Sequence, residues 1–409
     1  MKIACVTPDD LSTLIFCKTL SRLLAQRGGV ELITISGHVE GLSAEMYKEE
    51  LCKEVLSTHM DIPMKRFIAP LRDLVYLFRL YGIMRREHCS AVITFATKPN
   101  IYGQVAAFLA GVPLRIMAVR GLGRMFNTAS TIKGRILQRL MTMLYRIACR
   151  VADKVWFTNR GDLVDFVSMG LVAENKTFLT KNAVDLTDFC NARINPAHLQ
   201  SLRQEFGLKP ADQVVIMVAR LIEQKGVREF AQAAISLRER VPNLYFLLVA
   251  PEEPENPSVV PVAFIRAVEA RSNLRWLGFR KDVRELYALS DLAALPSYYK
   301  EGGYPRALLE AMAYGKPVIA ADTPECRGPV EDGRNGFLVP PKNAGALADA
   351  IEKIITNTDL SRSMGEYSLR RMQQEFDDRL VFETLINDVI LPMCAARQIR
   401  VGSNADSTA

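Results

Sequence analysis

EGGYPRALLEAMAYGKPVIA, Glu301–Ala320, is the stretch that decides how this chain reads. A carboxylate, Glu301, precedes the glycine pair Gly302 and Gly303, then Pro305, then a helical run with a second carboxylate, Glu310. Proline suits a first helical turn, where the N–H groups have no intrahelical partner to lose. The glycines let backbone N–H groups come close to a ligand. Behind them a helix N-terminus offers unpaired donors and a partial positive charge, which suit a phosphate. Glu310 falls about two turns in, placed to accept hydrogen bonds from sugar hydroxyls. Alone it would read as a solvated helix face; its weight comes from its neighbours. Arg306 occupies the first turn, where a cation opposes the helix dipole. It either faces an anion or acceptor or is simply solvated. The segment looks like half of a nucleotide-sugar pocket.

The other half lies upstream in VVIMVARLIEQKGVREF, Val214–Phe230. This reads as a buried strand, a short loop and a helix start. Arg220 and Lys225 bracket the loop and Gly226 follows. Two cations at the carboxyl end of a strand, facing a helix N-terminus, can neutralise a diphosphate: arginine as a fork to two oxygens, lysine as a point charge.

Together the two blocks resemble the retaining glycosyltransferases of family 4. The resemblance implies the GT-B fold, α/β, with two Rossmann-like doubly wound domains facing across a cleft. In that family an Arg and a Lys after the first strand of the C-terminal domain grip the donor diphosphate. Two glutamates, usually separated by seven residues, hold the donor sugar and ribose. By this likeness Arg220, Lys225 and Glu301 are catalytic, and Gly302, Gly303, Tyr304, Pro305 and Glu310 join Arg220 and Lys225 in binding the donor. One departure is plain: eight residues separate Glu301 from Glu310, the extra one falling at Gly302-Gly303. The match extends to WLGFRKDVRELYALSDLAALPS, Trp276–Ser297, and EDGRNGFLVPP, Glu331–Pro341. In the family, the turn at Gly278, Phe279 and Arg280 presents backbone groups to the base; as structure alone it is a strand-ending turn. Cys326-Arg327 and Asn335-Gly336 are family-like and receive no role.

The first half carries weaker signals. Ala96–Phe126 is similar to the middle of the N-terminal domain in members that build bacterial surface polysaccharides. Many of them have His-Gly where Arg120-Gly121 stands here, and that histidine approaches the donor sugar. Arg120 is therefore carried over as a catalytic candidate that contacts the donor or an acceptor phosphate. Gly121 and Gly123 read as turn residues. Thr7-Pro8-Asp9-Asp10 falls in a loop that faces the cleft in the family. Asp9 and Asp10 are acceptor-binding candidates there, or else a helix N-cap cluster. His38, His59 and His88 have no partners at diagnostic spacing and read as surface or core histidines.

At 409 residues the chain suits two domains. Strands at Lys2–Thr7, Val30–Ser36, Ala91–Ala96, Leu114–Val119, Val155–Thr158 and Lys176–Leu179 alternate with helices, the pattern of a parallel doubly wound sheet. Asn182-Ala183-Val184-Asp185 reads as entry to a second domain. There the strands are Val214 onward, Tyr245–Ala250, Leu274–Leu277, Leu292–Pro296, Val318–Ala321 and Phe337–Val339. The expected division is an acceptor-binding domain over 1–185 and a donor-binding domain over 186–375. A last helix, about 376–398, returns to the first domain, and 400–409 form a frayed tail. The proline-rich segment 251–261 reads as an exposed loop.

Eight scattered cysteines and four histidines form no metal-ligand spacing and no disulfide framework. No Asp-x-Asp motif appears, so neither metal nor other cofactor is expected. The net charge of +7 favours anionic partners. No nucleic-acid-binding signature is present, no apolar run is long enough to span a bilayer, and the N-terminal run is too brief for a secretory signal.

Two segments are amphipathic and basic. Over Arg66–His88, Phe67, Leu71, Leu74, Phe78, Tyr81 and Met84 recur at helical spacing beside Arg72, Arg79 and Arg86. Over Ile132–Val151, Ile136, Leu140, Met143, Ile147 and Val151 form the apolar side, beside Arg135, Arg139, Arg146 and Arg150. Each reads as a helix packed on a sheet with a solvated charged face, or as a surface drawn to anionic lipid. The resemblance implies transfer of a hexose or N-acetylhexosamine from a UDP-sugar to a lipid-linked glycan acceptor, on the cytoplasmic side, peripheral to the cell membrane. The rivals are a nucleotide-sugar epimerase or hydrolase of the same fold, and a membrane-surface scaffold with a vestigial pocket.

Overall fold

A computed structural model describes residues 1–38, 45–65, 69–121, 132–254, 256–299 and 303–399. Glu301, Gly302, Arg66, Phe67, Gly123 and the tail from 400 onward lie outside the described residues. The chain divides into two compact units: Met1–Lys181 with the segment from Asp378 onward, and Asn182–Asp377.

The first unit is built on strands β1 (Lys2–Thr7), β2 (Glu31–His38), β3 (Thr58–Pro63), β4 (Ala91–Phe95), β5 (Leu114–Val119), β6 (Lys154–Phe157) and β7 (Thr177–Leu179). All pairs are parallel, in the order β3-β2-β1-β4-β5-β6-β7. Ile3 to Val6 and Ala91 to Phe95 are buried without a break, as strands covered on both faces must be. β3 is absent from the sequence reading. Its run THMDIP is largely exposed and ends in proline, so composition gives a loop; edge pairing with β2 makes it a strand. The closing helix Asp378–Leu385 belongs to this unit: Phe382 meets Trp156 edge-to-face at 5.8 Å. Arg397 Nη2 lies 2.8 Å from Asp153.

Both basic helices leave most of the expected apolar row outside, although Met84 is buried as expected and Tyr81 packs against the core. Pro70–Arg86 turns in Tyr76, Leu80 and Met84 and exposes Leu71, Leu74, Val75 and Phe78. Ile132–Val151 turns in Met141, Tyr145, Ala148 and Cys149 and exposes Ile136, Leu140, Met143 and Ile147. The small residues Ala148 and Cys149 let this helix sit close, with Tyr145 edge-on to Phe166 at 5.4 Å. The larger apolar row is left outside with the arginines.

The second unit holds β8 (Gln213–Val218), β9 (Leu244–Val249), β10 (Leu274–Trp276), β11 (Leu292–Leu295), β12 (Val318–Ala321) and β13 (Gly336–Val339). They are parallel in the order β10-β9-β8-β11-β12-β13. The chain enters and leaves this unit side by side, Val184 N donating to Phe376 O at 3.0 Å. Both units are therefore doubly wound α/β, as the sequence pattern predicts.

Candidate functional site

In the second sheet the strand order reverses between β8 and β11. From β8 the chain winds outward to β9 and β10; from β11 it winds the other way. The loops leaving these two strands must part, and the crevice beyond their carboxyl ends is where doubly wound sheets bind ligands. Arg220 and Lys225 lie on the loop after β8, and Gly303, Tyr304 and Pro305 on the loop after β11.

A backbone seam fastens the two loops. Tyr298 N donates to Gln224 O at 2.9 Å, and Ser297 Oγ donates to the same carbonyl at 3.3 Å. Gly226 closes the Glu223–Lys225 turn in the left-handed region, φ 78°. A Cβ there would stand 2.2 Å from Pro296 O, so only glycine permits this approach. Arg220 Cζ and Lys225 Nζ lie 5.3 and 5.2 Å from the centroid of the Tyr299 ring. Arg220 Nη1 is also 3.7 Å from Glu253 Oε2. The two expected cations thus converge on the loop that leads to the expected helix.

That helix is Arg306–Ala313. Pro305 is its cap rather than its first turn, with ψ 118° and its carbonyl accepting from Leu308 N at 3.1 Å. Glu310 therefore sits only about one turn in, half-buried. Its Oε1 is 3.3 Å from Arg306 Nε, and Arg306 Nη1 donates to Ala183 O at 3.0 Å. The charge of Arg306 against the helix dipole is thus answered inside the unit, and the expected anion-facing or solvated arginine is replaced by a strut for Glu310. Burial, then the nearby Glu310 carboxylate, holds the Tyr287 phenol well above its ordinary pKa.

Gly303 has φ 115° and a hypothetical Cβ 2.7 Å from Asn182 Nδ2. That nitrogen donates to Tyr304 O at 2.8 Å. The Tyr304 ring packs inward, edge-on to Phe376 at 5.9 Å, and so close to Gly328 that a Cβ there would lie 2.0 Å from it. What Tyr304 leaves at the turn is its backbone. Asn182, Tyr299 and Gly328 are the residues the sequence reading missed; their positions along the chain gave no signal of this contact. Gly278 takes φ 61° and Phe279 is exposed. The Arg280 guanidinium is bonded to Asp282 at 2.8 and 2.6 Å and to Glu205 at 2.8 Å.

In the first unit the corresponding reversal falls between β1 and β4. Asp9 caps the helix Asp10–Arg27, accepting from Ser12 N at 2.7 Å. Asp10 is buried and accepts from the Ser36 hydroxyl. His59 has close partners after all: its Nε2 is 3.5 Å from Asp10 Oδ1 and 3.0 Å from Asp61 Oδ1, with Thr34 Oγ1 at 3.0 Å from Nδ1. Asp10, His59 and Asp61 are, among the described residues, the group of ligand atoms close enough to hold a metal ion, all within 4.8 Å. Lys48 Nζ already meets Asp61 Oδ2 at 2.5 Å, so a protein cation answers that charge. Ala96, at the end of β4, is held at φ 72°, a strained conformation of the kind found at functional turns. Arg120 stacks its guanidinium on Phe16, 4.5 Å from the ring centroid, with Trp156 at 6.0 Å.

Residues 200–371 match the family Glycosyl transferases group 1. Over 317 residues the chain is 27% identical to N,N'-diacetylbacillosaminyl-diphospho-undecaprenol alpha-1,3-N-acetylgalactosaminyltransferase of Campylobacter jejuni, a match covering 76% of this chain and 80% of that protein. Over 346 residues it is 28% identical to UDP-Gal:alpha-D-GlcNAc-diphosphoundecaprenol alpha-1,3-galactosyltransferase of Escherichia coli, covering 81% and 86%. It aligns with the crystal structure of Anabaena HepE in complex with UDP-glucose at a TM-score of 0.73 and 20% identity, over 95% of this chain and 99% of that one.

Proposed function

Residues 200–371 are a group 1 glycosyltransferase domain, in a chain of GT-B fold, and from that premise we propose the reaction. The enzyme moves a hexose or N-acetylhexosamine from a UDP-sugar to a lipid-linked glycan acceptor, with retained anomeric configuration. One observation carries this reading: Arg220 and Lys225 gather on the Tyr299 ring at the switch point of a single sheet, and the loop after β11 that holds Tyr299 also carries Gly303, ahead of the Arg306–Ala313 helix. The UDP-glucose bound by HepE and the diphospho-undecaprenol-linked acceptors of the two relatives support the same classes of donor and acceptor here.

Breaking the sugar–phosphate bond leaves charge on a diphosphate. Arg220 takes two of its oxygens, Lys225 another, and the turn at Gly303 offers backbone N–H groups. Such groups are fixed before the charge develops, so they cost little reorganisation when it does. Glu310, steadied by Arg306, accepts from the donor sugar's hydroxyls, and Glu301 fills the paired role. The acceptor hydroxyl bonds to the anomeric carbon on the face the diphosphate leaves, and its proton passes to the departing phosphate oxygen. In this reading protein cations do the work of a metal, and chelator leaves turnover unchanged.

The enzyme works at a membrane surface, on its cytoplasmic face. Among the described residues no helix is long and apolar enough to cross a membrane. Instead Leu71, Leu74, Val75 and Phe78 on one helix, and Ile136, Leu140, Met143 and Ile147 on another, stand outward. They lie among the exposed Arg72, Arg79, Arg135, Arg139 and Arg146. Both helices pack on the segment Pro99–Leu109, so both flank the same part of the first unit. Apolar side chains enter the headgroup region while each arginine near an anionic surface adds about 1 kcal/mol.

The test is turnover of a panel of UDP-sugars with a short polyprenyl-diphosphate-linked sugar as acceptor. Wild type forms the extended lipid-linked product. Lys225→Ala and Glu310→Ala lose most activity while melting near the wild-type temperature. Near-normal turnover in both variants overturns the site. Rapid epimer or free-sugar formation without acceptor favours the rival chemistry.

A further inference from the structure

We propose that Tyr299 is a positioning residue for the donor diphosphate, its ring holding Arg220 and Lys225 side by side before the donor arrives. The proposal rests on the reading of the Arg220–Lys225 turn as the diphosphate site. Two like charges on one short turn repel each other, and Arg220 has a carboxylate to move toward, Glu253 Oε2 at 3.7 Å from its Nη1. The negative face of an aromatic ring offers both cations a shared partner. The distances to the ring, 5.3 Å from Arg220 Cζ and 5.2 Å from Lys225 Nζ, are almost equal.

The backbone that carries the ring is itself anchored. Tyr299 N donates to Ser297 Oγ at 3.3 Å, and Ser297 Oγ and Tyr298 N both donate to Gln224 O, on the same loop as the two cations. The residue that bears the ring is therefore tied to the loop that bears the cations. A donor diphosphate meets charges already gathered, so binding loses less to ordering two long side chains. The face of the ring does this, and the phenol oxygen is not needed for it.

Calorimetric titration of UDP and of UMP into the full-length protein tests the proposal. Tyr299→Leu is expected to weaken UDP about tenfold and UMP less than twofold, since UMP lacks the second phosphate. Tyr299→Phe keeps wild-type affinity for both. In turnover the Leu variant raises the donor KM more than it lowers kcat. Melting curves check each fold, and Tyr299→Met replaces the Leu variant should that one unfold early. Equal weakening of UDP and UMP, unchanged UDP affinity without the aromatic ring, or a Phe variant as poor as Leu each overturns the role of the ring. A wild type that fails to prefer UDP over UMP instead overturns the diphosphate reading on which it stands.

Discussion

Gly226→Ala puts the seam between the two loops under direct test. Alanine in the left-handed region costs about 1–2 kcal/mol. The added methyl also meets the Pro296 carbonyl, its Cβ 2.2 Å from the oxygen and 2.7 Å from the carbon. Both are backbone atoms at the end of a buried strand, so no flexible side chain can swing aside. Relieving such overpacking costs about 1–3 kcal/mol more. The sum, about 2–5 kcal/mol, leaves a domain with typical net stability of about 5–15 kcal/mol still folded. At about 2–4 °C per kcal/mol for a unit of this size, melting falls by about 4–20 °C. Lys225 directly precedes the displaced glycine and Gln224 carries the seam bonds, so the cations leave Tyr299 and UDP affinity drops at least tenfold. Differential scanning calorimetry and UDP titration on one preparation read both effects. A variant with wild-type melting and wild-type affinity would refute the claim that this close approach holds the site together.

Asn182→Ala removes the hydrogen bond to Tyr304 O, with a stability loss of about 1 kcal/mol and weaker UDP binding, read by thermal melting and titration; unchanged binding would show that the Gly303 turn holds its shape alone. Replacing Leu71, Phe78, Ile136 and Met143 with glutamine removes apolar surface that stands outside the core, so binding to anionic vesicles falls severalfold while melting is kept; vesicle binding that survives points elsewhere for the membrane contact. Burial opposes ionisation of Asp10, but bonds from His59 and Ser36 prevail and hold its carboxyl below the ordinary value. A depressed folded pKa gives stability that is present above the unfolded value, about 3.9, and is lost as pH falls through the folded one. Asp10→Asn should flatten the acid limb of the stability–pH curve, and an unchanged limb contradicts this.

The parts of the site that lie together in sequence were legible as sequence. A buried strand, a loop bracketed by Arg220 and Lys225, and Gly226 before a helix follow one another without interruption, and the strand–helix alternation gave both doubly wound sheets. Long-range meetings were not legible. Tyr299 meets Lys225 only because β8 and β11 are neighbours, and Asn182 reaches Tyr304 only because the chain enters the unit beneath that turn. The same holds for His59, whose partner Asp10 comes from another strand's end. Periodicity misled where a helix is apolar on more than one side: the row of Met141, Tyr145 and Ala148 competes with Ile136, Leu140 and Met143, and only packing selects between them. The Arg306–Glu310 pair had the spacing of a helical ion pair, yet the family likeness drew attention to a ligand instead.

The sharpest measurement is the preference for UDP over UMP, taken by calorimetry on the wild type and on the double variant Arg220→Met, Lys225→Met. A site built around two cations should bind UDP at least tenfold more tightly than UMP, and the double variant should bind them alike while melting normally. Equal affinity for both nucleotides in the wild type, or a full preference surviving in the double variant, would show that the second phosphate is not held where Arg220 and Lys225 meet.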